Sequence, residues 1–245
     1  MLGLADSAPS YAHNLQLSPI CVNPRSSAAI PPILRALTLS QFFDIHPDNP
    51  QPRLIARAVE IIRQGGVIAY PTDSCYALGC HLGDKAALDR IRRIRNTDKN
   101  HNFTLVCRDL KELSVYARVD NSTFRLLKNA TPGPYTFILP ATKEAPKRLI
   151  HAKRKTIGLR IPGNRIVQTL LAVLGEPIMS VTLFLPDQER PMTDARDIRD
   201  ALEHELDVVI DGGPGGMEPT TVVDLTGDAP HIIRRGVGDP TPFED

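Results

Sequence analysis

At 245 residues the chain has room for one α/β domain or two small ones, and 42% hydrophobic residues suffice for an ordinary globular core. A net charge of +1 and a pI near 7.7 exclude the globally basic signature of many nucleic-acid binders. The four cysteines, Cys21, Cys75, Cys80 and Cys107, lack zinc-ligand spacing, and no apolar run is long enough to span a membrane, so the chain reads as cytoplasmic with reduced thiols.

Residues 1–38 are rich in Ser, Pro, Ala and Asn, show no periodicity and lack the features of a secretory signal. They are expected to form a disordered tail ahead of a single domain over 41–239. The first expected helix is capped by Asp48, has Pro50 in its first turn and ends at Gly65-Gly66; Leu54, Ile55, Ala58, Val59 and Ile62 form its apolar face. A strand follows at Val67–Tyr70. Asp84 caps a helix that turns Leu88, Ile91 and Ile94 inward and its arginines outward. "FTLVC" is the next strand, and "DLKE" at Asp109 has capping-box spacing. "NSTFRLLKNA" is helical up to Pro132-Gly133-Pro134, and "YTFIL" and "TIGLRI" are strands. Asn164 caps "RIVQTLLAVLG", which Gly175 closes. After these come the strand "IMSVTLF", the helix "DIRDALEHEL" and the strands "VVI", "TVVDL" and "HIIR". Helices and strands alternate early and short strands dominate late, which predicts an α/β fold with a mixed sheet flanked by helices.

Candidate chemistry is concentrated at strand ends. Val67–Tyr70 stops at Pro71 and releases Thr72, Asp73, Ser74 and Cys75, either a turn or a substrate site. Cys75 has no histidine at a spacing that predicts pairing, which favours a structural cysteine over a nucleophile. Ser180 and Thr182 alternate with Met179 and Val181 and therefore share a strand face. Thr220-Thr221 leads one strand, and Arg234-Arg235-Gly236 follows another. Such groups can converge on a concave surface of the kind that binds ligands. "GGPGG" at Gly212–Gly216 precedes no helix and reads as a surface turn rather than a phosphate loop. The scattered histidines predict no metal site. Two basic clusters stand out: Arg90, Arg92, Arg93, Arg95 and Lys99, then Lys153, Arg154 and Lys155. Each is either a solvated face or a contact for nucleotide phosphate or RNA.

In this order the segments resemble the YrdC-like family over about residues 41 to 239. "GGVIAYPTDSCYALGC" resembles its opening strand and P-T-[DE] turn, "TPGPYTFIL" its P-G-P-x-T segment and "TIGLRIP" its T-[VI]-x-x-R-[VI]-P strand. "PTTVVDL" and "RRGVGD" resemble its closing motifs. "FFDIHPDNPQPRLIARAVEIIRQGG", "NHNFTLVCRDL" and "KRKTIGLRIP" are similar to its YciO branch. The resemblance implies a twisted mixed parallel and antiparallel sheet with a concave electropositive face. It also implies formation of threonylcarbamoyl-AMP from threonine, bicarbonate and ATP with Mg²⁺, feeding the threonylcarbamoyladenosine modification of tRNA. No bound organic cofactor is implied.

Carried over residue by residue, the resemblance places Thr72 on the substrate threonine. Arg160, Thr220 and Thr221 fall on carboxylate or phosphate, and Arg95 on the phosphates. Thr136, Ser180 and Thr182 line the nucleotide site, and Arg235 belongs to the closing R-x-G. No side-chain nucleophile is required, because positioning and fixed cations supply the catalysis. The family's K-x-R motif reads Arg95-Asn96-Thr97 here, and its S-x-N motif reads Thr182-Leu183-Phe184. These departures set a second expectation beside synthesis: binding of tRNA or double-stranded RNA through Arg92, Arg93, Lys99, Lys153, Arg154 and Lys155, without synthase activity.

Overall fold

The computed structural model describes residues 39–97, 103–186 and 188–244. The expected N-terminal tail and Lys99 lie outside them. The strands are β1 (Gln41–Asp44), β2 (Val67–Tyr70), β3 (Ala77–His81), β4 (Thr104–Val106), β5 (Tyr135–Pro140), β6 (Thr156–Arg160), β7 (Ile178–Thr182), β8 (Val208–Asp211), β9 (Thr221–Asp224) and β10 (His231–Arg234). The helices are α1 (Pro52–Arg63), α2 (Lys85–Arg95), α3 (Leu110–Tyr116), α4 (Asn121–Ala130), α5 (Arg165–Leu174) and α6 (Ala195–Leu202).

All ten strands form one sheet in the order β1-β8-β2-β3-β7-β4-β6-β5-β9-β10. The β1–β8, β8–β2, β4–β6 and β5–β9 pairs are parallel and the others antiparallel, so the expected mixed sheet is present. Strand alternation then sorts the core. Val67, Ala69, Leu105, Leu159 and Met179 pack on one face with α2, α3, α4 and α6. Ile68, Tyr70, Ala77, Val106 and Ile178 lie on the other face, under α1 and α5. The parallel register puts Arg160 beside Val106, so the second face continues onto β6 and β5 beyond the reach of these two helices. Among the described residues, no helix is long and apolar enough to cross a membrane.

Several caps are as the sequence predicts. Asp84 accepts from Ala87 N, Asp109 from Glu112 N, and Asn164 from Ile166 N and Val167 N, while Gly175 takes the left-handed conformation. Two elements differ. Helix α1 starts at Pro52 with Gln51 at its N-cap, not at Asp48. A residue before proline is driven to extended backbone, and prolines at 50 and 52 impose this twice. His46 Nδ1 meanwhile accepts from Asp48 N and Asn49 N, at 3.1 and 3.2 Å, in the preceding loop. The α2 arginines also differ from the outward reading. Arg90 pairs with Asp207, and Arg92 pairs with Asp89 and lies 5.5 Å from the Phe103 ring centroid; Arg93 is exposed.

Candidate functional site

Where α1 and α5 stop, the uncovered sheet face becomes the floor of a cavity of about 670 Å³. That volume lies within the range of small-molecule sites. Alternate residues of adjacent strands line it: Ser180 and Thr182 on β7, Thr104 and Val106 on β4, Thr156, Gly158 and Arg160 on β6, Thr136 and Ile138 on β5. Val222 and Arg234 extend the row. Arg95, Phe184, His151 and Arg154 stand on its walls. Among the described residues no Asp or Glu lines it, and its charged side chains include Arg95, Arg154, Arg160 and Arg234.

Arg160 organises one part of this space. Its side chain is 9% exposed. Its Nη2 donates to Asp73, to Thr72 Oγ1 at 3.2 Å and to Ser74 Oγ at 3.0 Å. Asp73 also accepts from Gly163 N at 2.6 Å. The P-T-D turn thus grips one end of the guanidinium, while Arg160 Nε has no hydrogen-bond partner among the described residues. A buried donor without a partner is costly, and a ligand acceptor would relieve it. Thr72 Oγ1 spends its own hydrogen on Cys75 O at 2.6 Å and does not line the cavity, so Thr72 stands behind Arg160 rather than in open space. Cys75 is buried, and that burial raises its thiol pKa above the ordinary value. The "GGPGG" loop, with Pro214 and Gly216 exposed, packs on this turn. Gly216 N donates to Ser74 O at 2.7 Å, and a Cβ on Gly216 would stand 2.4 Å from that oxygen.

A second group of donors comes from the far strands. Thr136 Oγ1 and Thr220 Oγ1 are 2.8 Å apart, and Arg234 donates to Thr220 O at 2.9 Å and to Thr220 Oγ1 at 3.2 Å. Burial lowers the Arg234 pKa from its ordinary value. Thr221 is fully buried behind them, donating to Gly238 O at 2.6 Å and accepting from Gly236 N at 3.0 Å. The expected Arg235 pairs with Glu244 outside the cavity, and Arg234 takes the inner place. The cause is a register shift between Ile232 and Arg234 that moves Arg234 opposite Val222.

On the other side, Ser180 is 3% exposed and lies 2.6 Å from the buried Tyr70 hydroxyl. Arg95 Nη1 donates to Phe184 O at 2.6 Å, and its guanidinium carbon lies 5.8 Å from the Phe184 ring centroid. Burial lowers the Arg95 pKa, and its Nε has no partner among the described residues. Of the residues expected to bind RNA, Arg154 lines the cavity and lies 4.0 Å from Asp224, while Lys153 and Lys155 are exposed beside it. Among the described residues, no group of three or more His, Cys, Asp or Glu is placed to hold a metal. The cavity therefore brings together Arg95, Thr136, Arg160, Ser180, Thr182 and Thr220, leaves Thr72 and Thr221 as supports behind it, and puts Arg235 elsewhere.

Comparison with known proteins follows the same outline. The family model Sua5_yciO_yrdC, described as telomere recombination, matches residues 60–236. The uncharacterized protein YciO of Escherichia coli (strain K12) is 60% identical over 205 residues, covering 84% of this chain and all of that one. Its crystal structure superposes with a TM-score of 0.81 over the same 84% of this chain and 100% of that one. A threonylcarbamoyl-AMP synthase of Halorhodospira halophila is 28% identical, covering 77% of this chain and 98% of that one. A variant of P. abyssi Sua5 is 25% identical, with a TM-score of 0.73 over 80% of this chain and 60% of that one.

Proposed function

The chain belongs to the Sua5/YciO/YrdC family, and from that premise we propose that its cavity makes threonylcarbamoyl-AMP and pyrophosphate from L-threonine, bicarbonate and ATP. The observation that carries this reading is a cavity lined, among the described residues, by arginines and hydroxyls with no carboxylate, in which the buried Arg160 keeps an Nε–H with no partner among those residues. Such a surface suits an anionic ligand.

The amine of threonine takes up the bicarbonate carbon with loss of water. The resulting carbamate oxygen attacks the α-phosphorus of ATP, and the bond to the β-phosphate breaks to release pyrophosphate. Mg²⁺ would enter on the triphosphate as part of the substrate. Arg160 and Arg234 would hold anionic oxygens, while Thr136, Thr182 and Thr220 would orient the reactants. Fixed donors of this kind act through preorganisation, and no covalent enzyme intermediate is needed.

The test is pyrophosphate release by purified protein given ATP, threonine, bicarbonate and Mg²⁺. Release dependent on all three substrates is expected. No release by folded protein, where an authentic synthase turns over, would sink the reading. A second reading, RNA binding, is favoured by the exposed Lys153 and Lys155 that flank the wall residue Arg154 in sequence. It predicts tRNA affinity that falls steeply with salt, and charge reversal at both lysines that leaves affinity unchanged would remove it.

A further inference from the structure

The loop from Gly212 to Gly216 joins β8 to β9, and none of its residues lines the cavity. It is nonetheless fastened along its length. Gly213 takes the left-handed conformation, its N–H donates to Asp211 Oδ1 at 2.9 Å, and its carbonyl accepts from the buried Tyr76 hydroxyl at 2.7 Å. Gly215 N donates to Thr193 O at 2.8 Å and Gly216 N to Ser74 O at 2.7 Å. Side chains have no room at these last two positions. A Cβ on Gly215 would stand 2.6 Å from Tyr76 Cδ2, and one on Gly216 would run into Ser74 O. A turn that only reverses the chain needs neither these bonds nor this closeness. The neighbours at the two ends of the loop account for both. Ser74 and Tyr76 belong to the turn that grips Arg160, whose Nη2 donates to Ser74 Oγ at 3.0 Å. Four residues beyond Gly216, Thr220 O and Oγ1 hold Arg234 at 2.9 and 3.2 Å. Loop residues therefore seat both guanidinium heads, and the glycine loop ties one seat to the other. Burial, and then the charge of Arg160, lower the Arg234 pKa, so the two heads stand in one another's field. Like charges repel, and their spacing has to be set by the groups that seat them.

We propose that the Gly212–Gly216 strap is a positioning element of the cavity. It sets the P-T-D turn against Thr220, so that Arg160 and Arg234 stand at a separation that one anionic ligand with two charged heads can bridge. The strap touches no ligand and acts through Ser74 and Thr220. This rests on the reading of the cavity as a site for anionic substrates and adds what fixes its spacing.

Calorimetry on the full-length chain with pyrophosphate, which can span two cations, and with inorganic phosphate, which needs one, separates positioning from general damage. Gly216→Ala pushes the strap off Ser74. Tyr76→Phe removes the hydroxyl that holds Gly213 O and keeps the ring. Each should lower pyrophosphate affinity about tenfold or more, the order for losing one charged hydrogen bond, and leave phosphate affinity within about twofold. On an Arg234→Met background, where the second grip is gone, Gly216→Ala should change pyrophosphate affinity little. The inference is overturned if a folded strap variant leaves pyrophosphate affinity intact, if the two anions weaken alike, or if the Gly216→Ala and Arg234→Met losses add. A native chain that binds pyrophosphate no more tightly than phosphate also overturns it. Pyrophosphate binding that responds to the strap as expected, in a native chain that forms no threonylcarbamoyl-AMP, would uphold the strap and remove the proposed chemistry. Binding of neither anion would remove both.

Discussion

Replacing Asp73 with asparagine removes one charge at almost constant shape. In the native chain one carboxylate oxygen accepts from Arg160 and the other from Gly163 N at 2.6 Å, and the Arg160 and Asp73 side chains are 9% and 17% exposed. Removing one member of a buried pair costs about 3–5 kcal/mol, because the remaining charge is stranded. Here Thr72 and Ser74 still accept from the guanidinium, and some water reaches the pair, so a loss of about 2–3 kcal/mol is expected. At about 2–4 °C per kcal/mol for a chain of this size, Tm should fall by roughly 4–12 °C. Arg160→Met in the same chain removes the stranded charge, so the double variant should lose at least about 1 kcal/mol less than the sum of the single losses. Urea unfolding of the four proteins gives these energies from the midpoints at constant slope. A loss below about 0.5 kcal/mol for Asp73→Asn, or strict additivity, would mean that solvent already screens the pair and that the P-T-D turn does not fix Arg160.

Two further substitutions probe the same sheet face. Burial pushes the Tyr70 pKa up from 10.0 to about 12, with the Ser180 hydrogen bond pulling partly back. The folded state therefore keeps that proton after the unfolded chain has lost it, and the Tyr70 contribution to stability should be intact below pH 10 and fall by about 2–3 kcal/mol between pH 10 and 12. Tyr70→Phe should flatten that fall in denaturant midpoints measured across the window, leaving the share of Tyr76 and Cys80, which burial also pushes up to about 12; an unchanged slope contradicts the assignment. Gly158 lies mid-floor, where an added Cβ would meet Thr104 Oγ1 at 3.6 Å and Thr136 Cγ2 at 3.8 Å, ordinary contact distances. Gly158→Ala should keep stability within about 0.5 kcal/mol, and Gly158→Leu should weaken ATP binding at least about tenfold by calorimetry. Unaltered ATP affinity in a folded leucine variant would put the ligand elsewhere.

Local signals in the sequence were dependable where one residue governs its own neighbourhood. Asp84, Asp109 and Asn164 each cap the helix that follows, because an N-cap acts over three residues. Strand β3 gives no such signal. "ALGCH" has little β-branched or aromatic character, and it is a strand because β2 and β7 pair with it on both sides. Strand β1 is a four-residue edge, too short for a periodicity to register. At the site, the shared face of Ser180 and Thr182 follows from alternation, and the cavity confirms it. The tie between Arg95 and Phe184 spans 89 residues of sequence, and the exchange of Arg235 for Arg234 depends on a bulge; neither is a local property. Thr72 likewise reads as an available hydroxyl until the structure shows Cys75 O accepting its proton.

The most direct measurement of the proposed chemistry follows the carbon of labelled bicarbonate. The native chain, incubated with labelled bicarbonate, threonine, ATP and Mg²⁺, should form labelled threonylcarbamoyl-AMP in amounts equal to the pyrophosphate released. Arg160→Met should form it at least about a hundredfold more slowly, the usual order for losing one fixed donor on developing charge. A folded native chain that yields no labelled adenylate, under conditions in which the Halorhodospira halophila synthase does, would contradict the account.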